Sequence, residues 1–178
     1  MVNIKTLSYL MILNVFASCN VFGLSATNTP AKVQAGWVES ITVEKQVFTT
    51  KAKLDTGAKT SSMYAENIKQ FKENGKRWVT FTLVLKDEHK KAHRIDMKRR
   101  RSRRVKVKEH DGEHDSRPVV ELELCFDGRP YKTEFTLTDR REYIYGVLLG
   151  RSFLKGKAVI DSEQTFLTLS RCQYSLQK

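Results

Sequence analysis

The chain lacks the signatures of the common zinc and nucleotide enzymes. His-Glu-x-x-His does not occur, and that motif brings two imidazoles and a general base to one face of a zinc-binding helix. The phosphate-binding pattern G-x-x-x-x-G-K-[ST] is also missing. The segment GRSFLKGK, which starts at Gly150, has one residue too many between its glycines and Ala158 where a hydroxyl is required. We therefore expect no metal, no nucleotide and no other cofactor.

Histidine itself is scarce. The four histidines form two pairs with four-residue spacing, His89 with His93 and His110 with His114. Such spacing brings imidazoles together only on a helix, whereas KDEHKKAHR and KEHDGEHDSR are charged stretches typical of hairpin tips. Solvated loops are therefore the favoured interpretation of both pairs.

Long hydrophobic runs are absent too. The longest, from Leu7 to Phe16, is too short for a membrane span. With Lys5 before it and small residues at its end, residues 1–26 have the pattern of a secretory signal peptide, with a buried N-terminal helix as the weaker alternative. Phe16-Ala17-Ser18-Cys19 also resembles a bacterial lipobox, in which Cys19 would be lipidated. We expect a secreted or periplasmic protein, or a lipid-anchored envelope protein in the lipobox alternative.

Cysteine is limited to Cys19, Cys125 and Cys172. If the leader is removed, two cysteines remain in an oxidising compartment, where a disulfide can form. No regular spacing supports a bridge, and nothing else in the chain resembles a disulfide-stapled domain. Free thiols are therefore favoured over a bridge between Cys125 and Cys172.

Acidic residues are outnumbered, and the net charge is +12. The excess is concentrated in residues 98–108, where eight of eleven side chains are basic. An acidic partner would suit this segment, as would a plain solvated strand. The arginines that would bind such a partner are Arg99, Arg100, Arg101, Arg103 and Arg104. Nucleic acid is not expected, because of the compartment and because no stacking platform accompanies the arginines.

Alternation of apolar and polar residues with period two predicts strands over most of the chain. PVVELELCF and YKTEFTLT, joined by residues 127–130, predict a β-hairpin. Short helices are expected near residues 61–68 and after Gly150. Further strands are expected at 36–43, 47–54, 77–85, 92–97, 103–108, 158–161 and 165–170. The chain is thus an all-β barrel or sandwich over residues 36–172, after a linker at 27–35 and before a tail at 173–178.

Asp55 begins an Asp-Thr-Gly tripeptide at the end of a predicted strand. The three residues are good turn formers, so a plain turn is the default interpretation. They also supply what a catalytic carboxylate needs, which is a tight turn, a hydroxyl, and a glycine backbone that a substrate can approach.

Residues 147–154, VLLGRSFL, favour the catalytic interpretation. With AKLDTGAKTSSMYA from Ala52, they make the chain resemble the retropepsin-like aspartic proteases. The closest resemblance is to a bacterial, RimK-associated family often labelled ATP-dependent zinc protease. Further matching segments are GWVESI, WVTF, RPVVELEL and EFTLTDR, so that the resemblance spans residues 36–170. It implies a single-lobe, closed retropepsin-like barrel.

The resemblance also implies an aspartic endopeptidase acting on a peptide or protein, for which an acidic substrate would suit the basic segment. Such enzymes use two carboxylates that share one proton. Asp161 lacks a following glycine and Asp139 is followed by charge, so both are poor second members. The second carboxylate is therefore expected to be Asp55 of another copy, in a homodimer.

Roles for neighbouring residues follow from the same resemblance. Thr56 would brace the dyad, Gly57 would offer its backbone to the substrate, and Ala58 would pack beside the carboxylate. The loop would be supported from behind by Leu148, Leu149 and Gly150, with Arg151 in a structural role.

Lys59 departs from the retropepsin pattern, which places an acid directly after DTGA to pair with the arginine of the Gly-Arg segment. That ion pair cannot form here. Lys59 is instead a candidate for lowering the pKa of the dyad, if its side chain points inward. A flap that closes over substrate is expected at residues 86–91 or 109–116.

The same fold is also compatible with one alternative function. A catalytically silent retropepsin-like module would use the basic 98–108 segment to hold an acidic partner without hydrolysis. Strong salt dependence of binding without turnover would distinguish it from the protease.

Overall fold

Strands make up most of the computed structural model, which describes residues 31–108 and 114–172. The expected leader at 1–26 and tail at 173–178 lie outside the described residues. Within them the strands are β1 (Val33–Val43), β2 (Thr50–Asp55), β3 (Ser61–Glu73), β4 (Lys76–Lys86), β5 (Ala92–Lys108), β6 (His114–Phe126), β7 (Arg129–Thr138), β8 (Val147–Gly150) and β9 (Ala158–Thr165). The short helix α1 (Arg151–Leu154) follows β8.

Seven of the strands close into a barrel. Pairing runs from β4 through β5, β6, β1, β2, β8 and β3 and returns to β4. Strand β7 bridges β6 and β3, and β9 extends the sheet beside β1. The core is aliphatic and aromatic, with Phe126, Phe135, Phe153 and Leu149 almost fully buried. The predicted all-β, retropepsin-like closed barrel is confirmed. In the part of the chain described, no helix is long and apolar enough to cross a bilayer.

The helix expected near residues 61–68 is wrong, because this segment is strand β3. Residues Ser61–Tyr64 pair with β7, Ser62 and Met63 also pair with β8, and the rest of β3 pairs with β4. The backbone groups of β3 thus bond to three neighbouring strands. Tertiary pairing overrides local propensity here.

Other strand boundaries also differ from the predicted ones. The strands expected at 92–97 and 103–108 are one strand, β5, which changes partner from β4 to β6 at an irregularity between Arg101 and Arg103. The strand expected at 165–170 is wrong beyond Thr165. The buried carboxylate of Glu39 accepts the backbone N–H groups of Leu167 and Thr168, which a ladder would otherwise use.

The β6–β7 hairpin is confirmed, with a tighter turn than expected. Phe126 pairs with Arg129, so only Asp127 and Gly128 form the turn. Both have positive φ, +50° and +68°, as a two-residue type I′ turn requires.

The expectation of free thiols is wrong, because Cys125 and Cys172 form a disulfide, with their Cα atoms 5.5 Å apart. The segment after β9 folds back over the end of β6. Gly128 donates to the carbonyl of Leu169 at 3.0 Å, and Thr42 Oγ1 donates to that of Ser170 at 2.9 Å. These contacts join residues far apart in the chain, so residue spacing does not reveal them.

Breaking this bridge should destabilise the barrel. The cysteines are 47 residues apart, and closing such a loop is worth about 4 kcal/mol in the chain-entropy description. We expect Cys172→Ser to lower the free energy of unfolding in urea by about 2–4 kcal/mol. A reductant should produce the same loss in the parent chain and none in the variant. Equal midpoints for parent and variant would contradict this expectation.

Candidate functional site

Asp55 is the last residue of β2. One oxygen of its carboxylate accepts backbone hydrogen bonds, and the other lies near a lysine side chain. Oδ1 accepts hydrogen bonds from the backbone N–H groups of Gly57 at 2.9 Å and Ala58 at 3.1 Å. Oδ2 lies 3.4 Å from the ammonium of Lys53. The Asp55 side chain is 24% exposed. The tight turn thus leaves a fixed carboxylate with one reactive oxygen near the surface.

The surroundings of Asp55 favour its ionised form. Burial alone would raise the pKa of its carboxyl group, but the N–H groups of Ala58 and Gly57 and the charge of Lys53 together lower that pKa below its usual value. At neutral pH a lone Asp55 is therefore ionised and has no proton to donate.

Strand β8 runs directly beside β2. The two are parallel, with Leu54 opposite Leu149 and Asp55 opposite Gly150. Leu149 is buried in the core and Leu148 pairs with Ser62 of β3. Leu148, Leu149 and Gly150 therefore lie behind the loop that carries Asp55.

Gly150 lets the two segments approach closely. A Cβ at this position would lie 2.6 Å from the carbonyl oxygen of Thr60 and 3.1 Å from that of Ala58. Such contacts are too short for any side chain, since both atoms belong to the backbone. The Gly150 N–H also donates to the hydroxyl of Ser61 at 3.1 Å.

The first turn of α1 binds the carbonyl groups of the loop. Arg151 Nη1 donates to the carbonyls of Thr56 at 2.8 Å and Gly57 at 2.6 Å, and its backbone N–H donates to Ala58 at 2.9 Å. Ser152 donates from both its N–H and its hydroxyl to the carbonyl of Lys59. The guanidinium of Arg151 thus bonds to the carbonyl oxygens of Thr56 and Gly57 and has partners without an acid at position 59.

The cation beside the carboxylate is Lys53 and not Lys59. The Lys59 side chain is exposed, whereas Lys53 points to the same side of β2 as Asp55. The expectation for Lys59 is thus wrong, although the spacing of two between Lys53 and Asp55, which places both side chains on one face of a strand, could have identified Lys53. Thr56 and Gly57 are exposed at the tip of the turn, with Ala58 half-buried.

The other candidate carboxylates have their own partners. Asp139 pairs with Arg141 at 2.8 Å, and Asp161 accepts hydrogen bonds from Gln34 and the Glu163 N–H. In the described ranges, no cluster of three or more His, Cys, Asp or Glu could hold a metal ion. His93 bonds to Asp87 and stacks on Phe48, and His110 lies outside the described residues.

Much of the basic segment is paired within the chain. Arg99 binds Glu44 and Arg103 binds Glu134, both at 2.7 Å, and Lys98 binds Glu73 at 2.7 Å. Arg100, Arg101 and Arg104 have no ion pair among the described residues.

Of the two expected flap segments, residues 86–91 connect β4 to β5. This connection is a tight turn in which Asp87 Oδ1 accepts the N–H groups of His89 and Lys91. Most of the other segment, 109–113, lies outside the described residues, and residues 114–116 belong to β6.

Sequence reasoning missed three polar residues that shape the site. Ser61 and Ser152 anchor the Asp55 loop, and Arg140 is 92% buried near it, where it donates to the Ser62 hydroxyl. All three residues lie within segments that carry the family resemblance, with Arg140 at the end of EFTLTDR, but no local pattern shows that Arg140 is buried while Arg141 beside it is exposed.

Comparison with known proteins gives matches that agree with this geometry. The RimB-like family, described as the retropepsin-like aspartic endopeptidase RimB, matches residues 34–170. A solved structure from Legionella pneumophila, the protein Lpg0085 of unknown function, superposes with a TM-score of 0.64 at 28% identity. The match covers 78% of this chain and 100% of the Legionella chain.

Curated relatives are named differently. A probable alpha-L-glutamate ligase of Shewanella pealeana is 35% identical over 117 residues, which are 65% of this chain and 25% of that protein. The protein of the same name from Desulfotalea psychrophila is 30% identical over 119 residues, 62% of this chain and 24% of its own. The chain thus spans about a quarter of the length of these relatives.

Gly150→Ala should disrupt the support of the Asp55 loop. The added methyl group meets the Thr60 carbonyl, so the backbone must shift, and overpacking of this kind costs about 1–3 kcal/mol of unfolding free energy. Gly146→Ala is the matched control, because the nearest neighbours of its added Cβ, Tyr64 Cβ and the Val84 carbonyl oxygen, would lie 3.6 Å away at ordinary van der Waals contact. Urea unfolding of both variants measures the difference, and equal losses would contradict the expectation.

Lys53→Met should raise the pKa of Asp55, because it removes the cation 3.4 Å from Oδ2. The depressed pKa stabilises the fold above the unfolded-state pKa, and this stabilisation is lost as pH falls through the folded-state pKa. In the variant the loss should therefore begin at higher pH. A carboxyl-carbon NMR titration measures the shift, with Lys59→Met as the control that should leave Asp55 unchanged. A larger shift in the control would contradict the assignment of Lys53.

Proposed function

Because the chain belongs to the RimB-like family of retropepsin-like aspartic endopeptidases, we propose that it hydrolyses peptide bonds through Asp55. One observation carries the proposal. The Asp55 carboxylate is held by two backbone N–H groups on a turn that the β8–α1 segment supports from behind, and its second oxygen lies near the surface. A peptide or protein is the proposed substrate.

Hydrolysis of an amide needs both a base and an acid. One carboxylate activates the attacking water, and a protonated one gives its proton to the carbonyl oxygen. In the part of the chain described, no second carboxylate hydrogen-bonds to Asp55. The N–H groups of Ala58 and Gly57, together with Lys53, favour the ionised form of that carboxyl group against the effect of burial. A single chain therefore supplies a carboxylate that can act as the base, Asp55, but no protonated carboxyl group beside it that can act as the acid.

A second copy of the chain supplies the missing acid in this proposal. Two Asp55 carboxylates in contact cannot both ionise easily, so they retain one proton between them. The exposed positions of Thr56 and Gly57 support such an encounter, because a two-fold axis brings the same surface of each copy together. Each Lys53 would then have to leave Oδ2, or share it, when the dyad forms.

The location proposed for the protein is outside the cytoplasm. The disulfide between Cys125 and Cys172 supports it, because such bonds persist in oxidising compartments. Secretion, periplasmic retention and lipid anchoring at Cys19 are all compatible with that bond.

The binding-module alternative also has a supporting observation. Arg101 and Arg104 converge on the side-chain oxygen of Gln70, at 2.6 and 3.1 Å. Burial and then the charges of Arg104 and Arg77 lower the pKa of Arg101. An acidic partner would relieve this repulsion. Its binding should weaken steeply with salt and should survive loss of Asp55.

Asp55→Asn should abolish peptide cleavage while the fold and the dimer persist, because the amide cannot act as a base. Mixing parent and variant chains sharpens the test. If both carboxylates of a dimer are needed, cleavage should fall with the square of the parent fraction and not in proportion to it. Sedimentation of each preparation verifies association. Cleavage by the purified variant at the parent rate would overturn the proposal.

A further inference from the structure

A cavity of ≈ 360 Å³ lies beside the first residues of β2, apart from the Asp55 turn. Tyr64, Tyr143, Tyr145 and Ile144 contribute to its wall. The volume falls within the range of small-ligand pockets, about 300–1,000 Å³. Aromatic walls of this kind pack well on the aliphatic part of a side chain.

Arg140 brings a buried positive charge to this cavity. It is only 8% exposed, and its Nε donates to the carbonyl of Tyr145 at 3.1 Å while its Nη1 donates to the Ser62 hydroxyl at 2.9 Å. The Tyr143 ring lies 4.4 Å from the guanidinium carbon. All of these partners are neutral, and no described carboxylate pairs with Arg140.

A buried guanidinium without a counterion is unusual. Arginine does not give up its proton in proteins, and buried charges are normally paired. Burial lowers the pKa of Arg140, against an opposite influence from Tyr143 and Asp55. Its Nη2 group makes no hydrogen bond to a described residue and is free to bind an anion.

The acids in the cavity wall do not neutralise Arg140. The carboxylate of Asp87 already binds His93 at 2.8 Å and two backbone N–H groups. Glu88 lies near His89 on the exposed turn, at 3.8 Å. Lys51, Lys86 and Lys90 add further positive charge to the wall, so that the cavity favours an anion.

The cavity borders Thr50 and Lys51 at the start of β2, the strand that ends at Asp55. Lys51, Lys53 and Asp55 alternate with the buried Ala52 and Leu54. At about 3.3–3.4 Å per residue, Lys51 is roughly 13 Å from Asp55. Arg140 bonds to Ser62, which pairs with Leu148 opposite Lys53. An extended peptide whose reacting bond meets Asp55 would therefore reach the level of Arg140 about two residues away and that of Lys51 about four residues away.

We propose that this cavity is a carboxylate-binding pocket in which Arg140 receives an acidic group of a bound peptide. The tyrosines would pack on the stem of that group. The group is either an acidic side chain or the carboxylate at the end of the peptide. The placement of the peptide relative to Asp55 rests on the proposed function, whereas carboxylate binding by Arg140 does not.

The test measures binding to the full chain carrying Asp55→Asn, so that no probe is cleaved. The probes are three fluorescent alanine peptides. One has glutamate at alternate positions and an amidated end, one has glutamine and a free carboxylate end, and one has glutamine and an amidated end. We expect one of the two acidic probes to bind at least about tenfold more tightly than the neutral one, as a charge-assisted hydrogen bond predicts. The tighter acidic probe identifies the source of the carboxylate.

Arg140→Lys should remove this preference, because lysine lacks the planar fork that bonds to Tyr145, Ser62 and a carboxylate together. Arg141→Lys is the matched control and should retain it. Should Arg140→Lys unfold, Ile144→Glu replaces it as the test. Ile144 is 87% exposed, so a carboxylate there leaves the core intact and repels the acidic probe.

Equal binding of all three probes would overturn the pocket, as would an unchanged preference in both Arg140→Lys and Ile144→Glu. Binding and cleavage of the acidic probe by the parent chain test the pocket and the peptidase activity separately. Binding of the acidic probe without cleavage by the parent supports the pocket and counts against the peptidase. Cleavage without acid preference supports the peptidase and overturns the pocket.

Discussion

The approach of Gly150 to the carbonyl oxygens of Ala58 and Thr60 is the contact on which the rest of the site depends. It allows β8 to lie against β2 and brings Arg151 and Ser152 within reach of the loop carbonyls. The loop is thereby fixed, and the Gly57 and Ala58 N–H groups face the Asp55 carboxylate. A side chain at position 150 would disturb all of these bonds at once.

Charge balance is the second constraint on the site. Oδ2 of Asp55 contacts the ammonium of Lys53, and Oδ1 accepts the N–H groups of Gly57 and Ala58. These partners favour the ionised carboxylate in a single chain. Like charge brought by a second carboxylate opposes that state, so association and proton uptake should be linked. The chain alone and the dimer would thus differ in chemistry as well as in shape.

Sequence reasoning reached the barrel and the Asp55 loop because both leave local signals. Alternating strands, the Asp-Thr-Gly turn and the LLGR segment are short patterns with a physical cause. The disulfide joins residues far apart in the chain, so no local pattern records it. Glu39 and Arg140 lie within the matching segments GWVESI and EFTLTDR, but their contacts join residues distant in the chain, so those segments do not reveal what the two side chains bind. The helix expected over part of strand β3 is wrong for the same reason, because Ser62 pairs with Leu148, 86 residues away.

The proposed hydrolysis requires that two Asp55 side chains meet across a two-fold axis. A chain carrying Asp55→Cys and Cys19→Ser tests it directly, because its remaining cysteines, Cys125 and Cys172, are bridged. A short bismaleimide should then join two chains through residue 55, and added Asp55→Asn chains without Cys19 should dilute the product. Failure to join chains that sediment as a dimer would contradict the account.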